Sequence, residues 1–426
     1  MALLDAVATL AAARGIAIAA IHVHHGLSLH ADAWAQHCAD LCALRGIPYL
    51  RRDVTVERGP RISIEAAARR ARHKALAAGA ADMHADALLL AHHRDDQAET
   101  LLLQLLRGAG PHGLAAMPVA RTDANGLIWL RPLLDVPRSA IDAYVQRRGL
   151  RFVDDDSNTD TRYARNAMRV HLAPALATIA PAYGVTLARA AELQADAAQL
   201  ADDLAAADAA GAWDGATLDQ SALIALPGYR ARNLLRWFLR MQGLPAPSRA
   251  RLAAMLGQLV RARPGARVRL AHAHAEIGIH RGHVVVHAPA PPPFAHLWHG
   301  ETALDLPHGT LRFVAAHDGG LNPDRLRSAP VMIRARAGGE RLDLGSGRPR
   351  RALKLLLQEA GLPAWERAAL PLVFCGDALA AVPGIGVDVA FRAAPGRAGL
   401  ALAWVPNAFR GALTAEAQVA GSTAIG

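Results

Sequence analysis

An apolar run stops abruptly at two histidines, three carboxylates and a glutamine in Leu88-Leu-Leu-Ala-His92-His93-Arg-Asp95-Asp96-Gln97-Ala-Glu99-Thr100. Leu88 to Ala91 read as a buried strand. Leu101, Leu102, Leu105 and Leu106 give the next segment a helical apolar stripe, ended by Gly108 and Gly110. In an open α/β sheet the carboxyl end of a strand is where ligands gather. Asp96 and Glu99 are three residues apart and share a helix face, where two uncompensated carboxylates repel. They predict a cationic ligand or a metal. Two other readings compete: Asp95 fits a helix cap favoured by the helix dipole, and His92, His93, Asp95 and Asp96 have the ligand types of a metal-dependent hydrolase.

Further motifs follow in chain order. Ile21-His22-Val23-His24-His25-Gly26-Leu27 leaves a predicted strand; a zinc site from its three histidines is disfavoured, because side chains alternate sides along a strand. Ser63-Ile-Glu65-Ala-Ala-Ala-Arg69-Arg-Ala-Arg72 opens a helix. Arg131-Pro-Leu-Leu134 and Asp156-Ser-Asn158-Thr-Asp-Thr-Arg162-Tyr-Ala-Arg165-Asn166-Ala-Met-Arg169 come next. Near the carboxyl end, Arg334 to Leu370 contains Leu353-Lys354 and Pro363-Ala-Trp365-Glu366-Arg367. In this order the strings resemble bacterial tRNA(Ile)-lysidine synthases, members of the N-type ATP pyrophosphatase (PP-loop) group. His24 departs from that family's usual HVNHGL pattern, in which asparagine stands at its position.

The resemblance implies ATP-driven joining of free L-lysine to C2 of the wobble cytidine in the CAU anticodon of tRNA(Ile). The C2 oxygen is first adenylylated and AMP then leaves. Asp96 and Glu99 are the expected lysine-binding and catalytic residues, since a carboxylate pair grips an ammonium by charge-assisted hydrogen bonds. Arg69 is expected at ATP and in catalysis, with His22, Val23, His25, Gly26 and His92 beside the nucleotide and Mg2+ as its companion ion. Arg165, Asn166 and Arg169 are expected at the tRNA, as are Arg348, Arg350, Arg351 and Lys354. A helix cap from Asp156 or Asn158 and a solvated arginine face are the structural alternatives. A 2-thiocytidine synthase of the same group is a competing enzyme, but no cysteine pair has the spacing for sulfur transfer. A non-catalytic RNA-binding protein of this fold is the competitor from another class.

The family's ATP loop, S-G-G-x-D-S, has no copy in the sequence. Met1 to Leu4 read as a helix already in progress, with Leu3, Val7 and Leu10 as its apolar positions and no capping residue before it. A Gly-rich loop at a helix N-terminus presents backbone N–H groups to phosphate. The 426 residues are therefore expected to start past the phosphate site, to bind tRNA, and to make no lysidine until such a loop precedes them.

These residues need a scaffold that alternates strands and helices. Strands are expected at Ala17–Val23, Pro48–Val54 and Ala87–Ala91, and helices at Ala31–Arg45 and Glu65–Ala78. That alternation predicts an α/β fold with a doubly wound parallel sheet, followed by a mostly helical substrate-binding domain and a small α+β C-terminal domain. The expected divisions are 1–186, 187–288, a linker with strands at 289–330, 331–410, and a disordered tail at 411–426. Pro289 to Pro293 mark the linker, and a helix is expected at Arg351–Ala360. Of 47 basic residues all but Lys74 and Lys354 are arginine, and the net charge of +10 predicts an acidic partner. Aromatic residues make up only 4%, which argues against a base-stacking platform and for recognition of a folded RNA's backbone. Cys38, Cys42 and Cys375 form no CxxC pair or disulfide framework, consistent with a cytoplasmic protein. No membrane partner is expected, a homodimer is compatible with the pattern, and no resident metal site is assigned.

Overall fold

The computed structural model describes residues 1–26, 28–57, 59, 64–153, 160–263, 265–345 and 350–407, except the side chains of Glu65 and Ala66. The chain divides into two units, Met1–Asp203 and Leu204–Gly426.

In the first unit the order is α1 (Ala2–Arg14), β1 (Ala20–His24), α2 (Ala31–Leu44), β2 (Tyr49–Asp53), α3 (Ile64–Asp82), β3 (Ala87–Leu89) and α4 (Arg94–Leu106). There follow α5 (Pro111–Leu114), β4 (Ala120–Thr122), β5 (Ile128–Leu130), α6 (Arg138–Arg147), α7 (Ala164–Ala167), a π-helical segment Met168–Leu172 and α8 (Ala173–Ile179). The long helix α9 (Tyr183–Ala209) runs on into the second unit. The parallel pairs are β1–β2 and β3–β5, with β4 antiparallel to β5. No ladder joins the two sets, so β1 and β3 each keep one edge unpaired among the described residues. Helix α3 packs on β1, β2 and β3 and so spans the break. It comes close because Gly79 has no side chain; a Cβ there would meet Ile21 at 3.2 Å.

Burial on two helices departs from the apolar pattern. In α4 the buried residues are Asp96, Gln97, Ala98, Glu99 and Leu101, whereas Leu105 and Leu106 are exposed. The polar first turn faces inward with Leu101, because the partners that neutralise it lie on that side, and the far end of the leucine stripe does not. In α1 the apolar Leu10 is exposed while Asp5 is buried. Asp5 accepts hydrogen bonds from Tyr144 (2.7 Å) and Arg148 (3.1 Å) on and beside α6, and pairs with Arg45 at 2.7 Å at the end of α2.

The second unit holds β6 (Thr217–Asp219), α10 (Gln220–Ala225), α11 (Gly228–Met241), α12 (Arg249–Arg261), β7 (Leu270–His272), β8 (Ala275–His280) and β9 (His283–His287). Leu234, Leu235, Phe238 and Leu239 of α11 are fully buried against α12 and a sheet ordered β6-β9-β8-β7. The region expected to be mostly helical thus carries an antiparallel sheet as well. No element covers residues 288–294. Then come β10 (Ala295–Trp298), β11 (Ala303–Leu306), β12 (Gly309–Ala316), α13 (Pro323–Leu326), β13 (Val331–Arg334), β14 (Arg341–Leu342), β15 (Arg351–Ala352), α14 (Leu353–Glu359) and α15 (Ala364–Ala369). β16 (Leu372–Cys375), β17 (Ala378–Val382), β18 (Gly386–Val387) and β19 (Gly399–Pro406) complete it. β10 pairs with β13 and β12 with β19, so the strands of the 289–330 stretch join the C-terminal sheets. One expectation is corrected here. Arg351 and Ala352 form a short strand paired with β14, and the helix begins at Leu353. The tail 411–426 lies outside the described residues. Among the described residues no single helix is long and apolar enough to cross a membrane.

Candidate active site

The apolar run ends as β3 at Leu89, and the chain turns through His92 and His93 into α4. The His93 backbone N–H donates to Asp96 Oδ2 at 3.0 Å, so Asp96 closes the first turn of its own helix. Asp95 caps a different helix: its Oδ2 accepts from the Arg138 N–H at 2.9 Å, at the start of α6. Hydrogen bonding to His93 and to that amide holds Asp95 well below the usual carboxylate range, at about 2. Gln97 is buried and exchanges two hydrogen bonds with the Met117 backbone, at 2.9 and 3.0 Å, which pins the following loop against α4.

Asp96 and Glu99 come together as their spacing predicts, 7% and 8% exposed. Arg169, on the π-helical segment, lies across both of them. Its Nη2 donates to Asp96 Oδ1 and to Glu99 Oε2, each at 2.9 Å, and its Nε donates to Glu99 Oε1. Arg165 donates to Thr100 Oγ1 at 2.9 Å and stands 3.5 Å from Glu99 Oε2. Burial pushes the Glu99 pKa up although Arg169 opposes it. The guanidiniums of Arg165 and Arg169, both expected at tRNA, here face α4. Asn166 is buried and donates to the Asp160 carbonyl at 3.0 Å. Asp156 and Asn158 lie outside the described residues. Beside Glu99 a cleft is lined by Leu102, Met168, Leu172, Leu176 and Tyr183.

The residues expected at ATP fall in two places along α3. His22 and Val23 lie on β1, and His25 and Gly26 leave it, with Gly26 at φ 59°, a left-handed turn suited to glycine. Burial first, then the neighbouring His24 and Arg51 charges, lower the His22 pKa. Farther along, burial lowers the His92 pKa to about 4, with the charges of Arg131, Arg69 and Arg165 acting in the same direction. Its buried Nδ1 has no hydrogen-bond partner among the described residues.

Arg131 was quoted only as part of a motif, and its position gives it a role. It is 5% exposed, and its Nη1 donates to the Pro118 carbonyl at 2.8 Å while its Nε finds no partner among the described residues. Burial and the charges of Arg121 and Arg69 lower its pKa. A buried guanidinium beside further cations is costly without an anion. Arg131 thus offers a buried cation, with one N–H unpartnered among the described residues, beside Arg69 and His92. The signal present in the sequence is an arginine directly after the apolar stretch Leu127-Ile-Trp-Leu130. Among the described residues no group of ligands is gathered for magnesium, and Asp95, Asp96 and Glu99 are each held by His93, Arg138 or Arg169.

The C-terminal basic cluster is more engaged than its charge run implies. Arg351 donates to Glu359 at 2.9 Å and Arg350 to the buried Asp388 at 3.3 Å, so both hold the C-terminal fold together. Lys354 is exposed on α14. Arg348 lies outside the described residues.

Comparison with known proteins agrees with this architecture. Family models match three stretches: the PP-loop domain at residues 1–176, the TilS substrate binding domain at 218–285 and the TilS substrate C-terminal domain at 331–404. A tRNA(Ile)-lysidine synthase of Nitrosomonas europaea is 40% identical over 413 residues, covering 95% of this chain and 89% of the relative. One from Azoarcus sp. is 42% identical over 394 residues, covering 92% and 86%, and one from Burkholderia pseudomallei is 43% identical over 428 residues, covering 90% and 87%. The likeness read from separate motifs therefore extends along nearly the whole sequence, and the chain belongs to the tRNA(Ile)-lysidine synthase family.

Proposed function

We propose that this chain is a carbon–nitrogen ligase that joins free L-lysine to C2 of the wobble cytidine in tRNA(Ile) with a CAU anticodon, driven by ATP. The observation that carries the reading is the buried Asp96–Glu99 pair, which faces one cation, in the same unit as the buried Arg131 guanidinium, whose Nε has no hydrogen-bond partner among the described residues. Family membership supports both halves. The cytidine C2 oxygen attacks the α-phosphate of ATP and pyrophosphate leaves; Arg69 and Arg131 offset charge on the phosphates. A lysine amine then attacks C2 and AMP departs. Asp96 and Glu99 hold a lysine ammonium, and Glu99, whose proton affinity burial raises, is suited to take a proton from it. Magnesium enters with the nucleotide, and lysine and tRNA are the remaining substrates.

The test is incorporation of labelled lysine into a tRNA(Ile) transcript. It is run on the 426 residues and on the same chain with an S-G-G-x-D-S loop placed ahead of it. ATP-dependent incorporation by the form that carries the loop is expected. Tight tRNA binding with no incorporation by both forms would instead identify an RNA-binding protein of this fold.

A further inference from the structure

The cation that Asp96 and Glu99 hold is part of the chain itself. One guanidinium, that of Arg169, satisfies both carboxylates, so the place assigned to the substrate's ammonium is already filled. We propose that Arg169 is a built-in cation that closes the amino-acid site while it is empty and that lysine must displace. This rests on the reading of Asp96 and Glu99 as the lysine site.

Three features support exchange rather than a fixed structural pair. The carboxylate side chains are 10% exposed while that of Arg169 is 37% exposed, so the arginine approaches from the solvent side and can withdraw without opening the core. Arg169 sits on Met168–Leu172, where the helix widens into a π turn; such turns are rare and occur frequently at functional sites. The cleft walled by Leu102, Met168, Leu172 and Leu176 meets the same Glu99 and offers apolar walls to a methylene stem. Two buried carboxylates without a counter-ion would be costly, and a tethered cation removes that cost when substrate is absent. In return, apparent lysine affinity falls by the fraction of time the site is closed.

The test is lysine binding by calorimetry to the 426-residue chain and to Arg169→Gln, Arg169→Lys and Glu99→Gln variants. Arg169→Gln is expected to bind lysine roughly fivefold or more tightly than the parent. Arg169→Lys keeps a tethered cation and falls between the two. Titrations at about pH 7 and about pH 9 separate displacement from protonation of Glu99, whose proton affinity rises further once Arg169 is gone. Weaker lysine binding by Arg169→Gln at both pH values, with binding lost in Glu99→Gln, would overturn the proposal and make Arg169 part of the lysine clamp. Unchanged lysine affinity with a lower melting temperature would overturn it in favour of a purely structural ion pair. Full lysine binding by Glu99→Gln would remove the carboxylate site itself, a failure distinct from that of the exchange. If Arg169→Gln does not fold, Arg169→Lys decides: lysine affinity at or below the parent's overturns the proposal.

Discussion

His92 shows how one residue near the site couples chemistry to stability. Its imidazole is held neutral, with a folded pKa near 4 against an ordinary 6.5. Below about pH 6.5 the unfolded chain binds a proton that the folded chain refuses, so stability falls as pH drops from about 6.5 toward about 4 and is fully present above that window. Replacing His92 with asparagine is expected to flatten that part of the melting-temperature profile, read by calorimetry or circular dichroism. A profile equally steep in both chains would remove the assignment. The same neutrality leaves Arg131 and Arg69 as the fixed cations of the cluster, so phosphate or ATP should raise the melting temperature of the parent more than that of Arg131→Gln. Equal shifts in the two chains would contradict an anion site there.

At the level of elements, α3 is the piece that positions both candidate subsites, since it packs over β1 and β3 while carrying Arg69 and Arg72. Its seat depends on Gly79. Gly79→Val places branched atoms where even a Cβ meets Ile21 at 3.2 Å, and overpacking of this kind costs about 1–3 kcal/mol. Denaturant unfolding should show that loss; a variant as stable as the parent would mean that α3 is not held against β1. The order of strands and helices was legible in the sequence because apolar runs and helical spacing are local signals, and the helix expected at Ala31–Arg45 runs Ala31–Leu44. The break between the β1–β2 and β3–β5–β4 sets was not legible, nor was the pairing of β12 with β19, because ladders join residues far apart in the chain. Asp96 and Glu99 were readable from spacing alone. Their partner was not: Arg169 lies 73 and 70 residues away, on a helical irregularity that no composition rule predicts.

For the molecule as a whole, the net charge of +10 has to serve a polyanion, and the structure narrows which cations can do so. Arg350 and Arg351 are tied to Asp388 and Glu359, whereas Lys354 stands exposed beside them. Lys354→Ala should weaken tRNA binding and lower the slope of log affinity against log salt by up to about one, while leaving lysine binding unchanged. An unaltered slope would place the RNA backbone elsewhere on the surface. The central claim, that lysine is held by a buried carboxylate pair, is tested most directly by substrate saturation of lysidine formation in the parent and in Glu99→Gln, with the S-G-G-x-D-S loop supplied to both. Loss of one charge-assisted hydrogen bond is worth roughly 1.5–3 kcal/mol, so KM for lysine should rise about tenfold or more with little change in KM for ATP. Lysine saturation identical in the two enzymes would contradict the account.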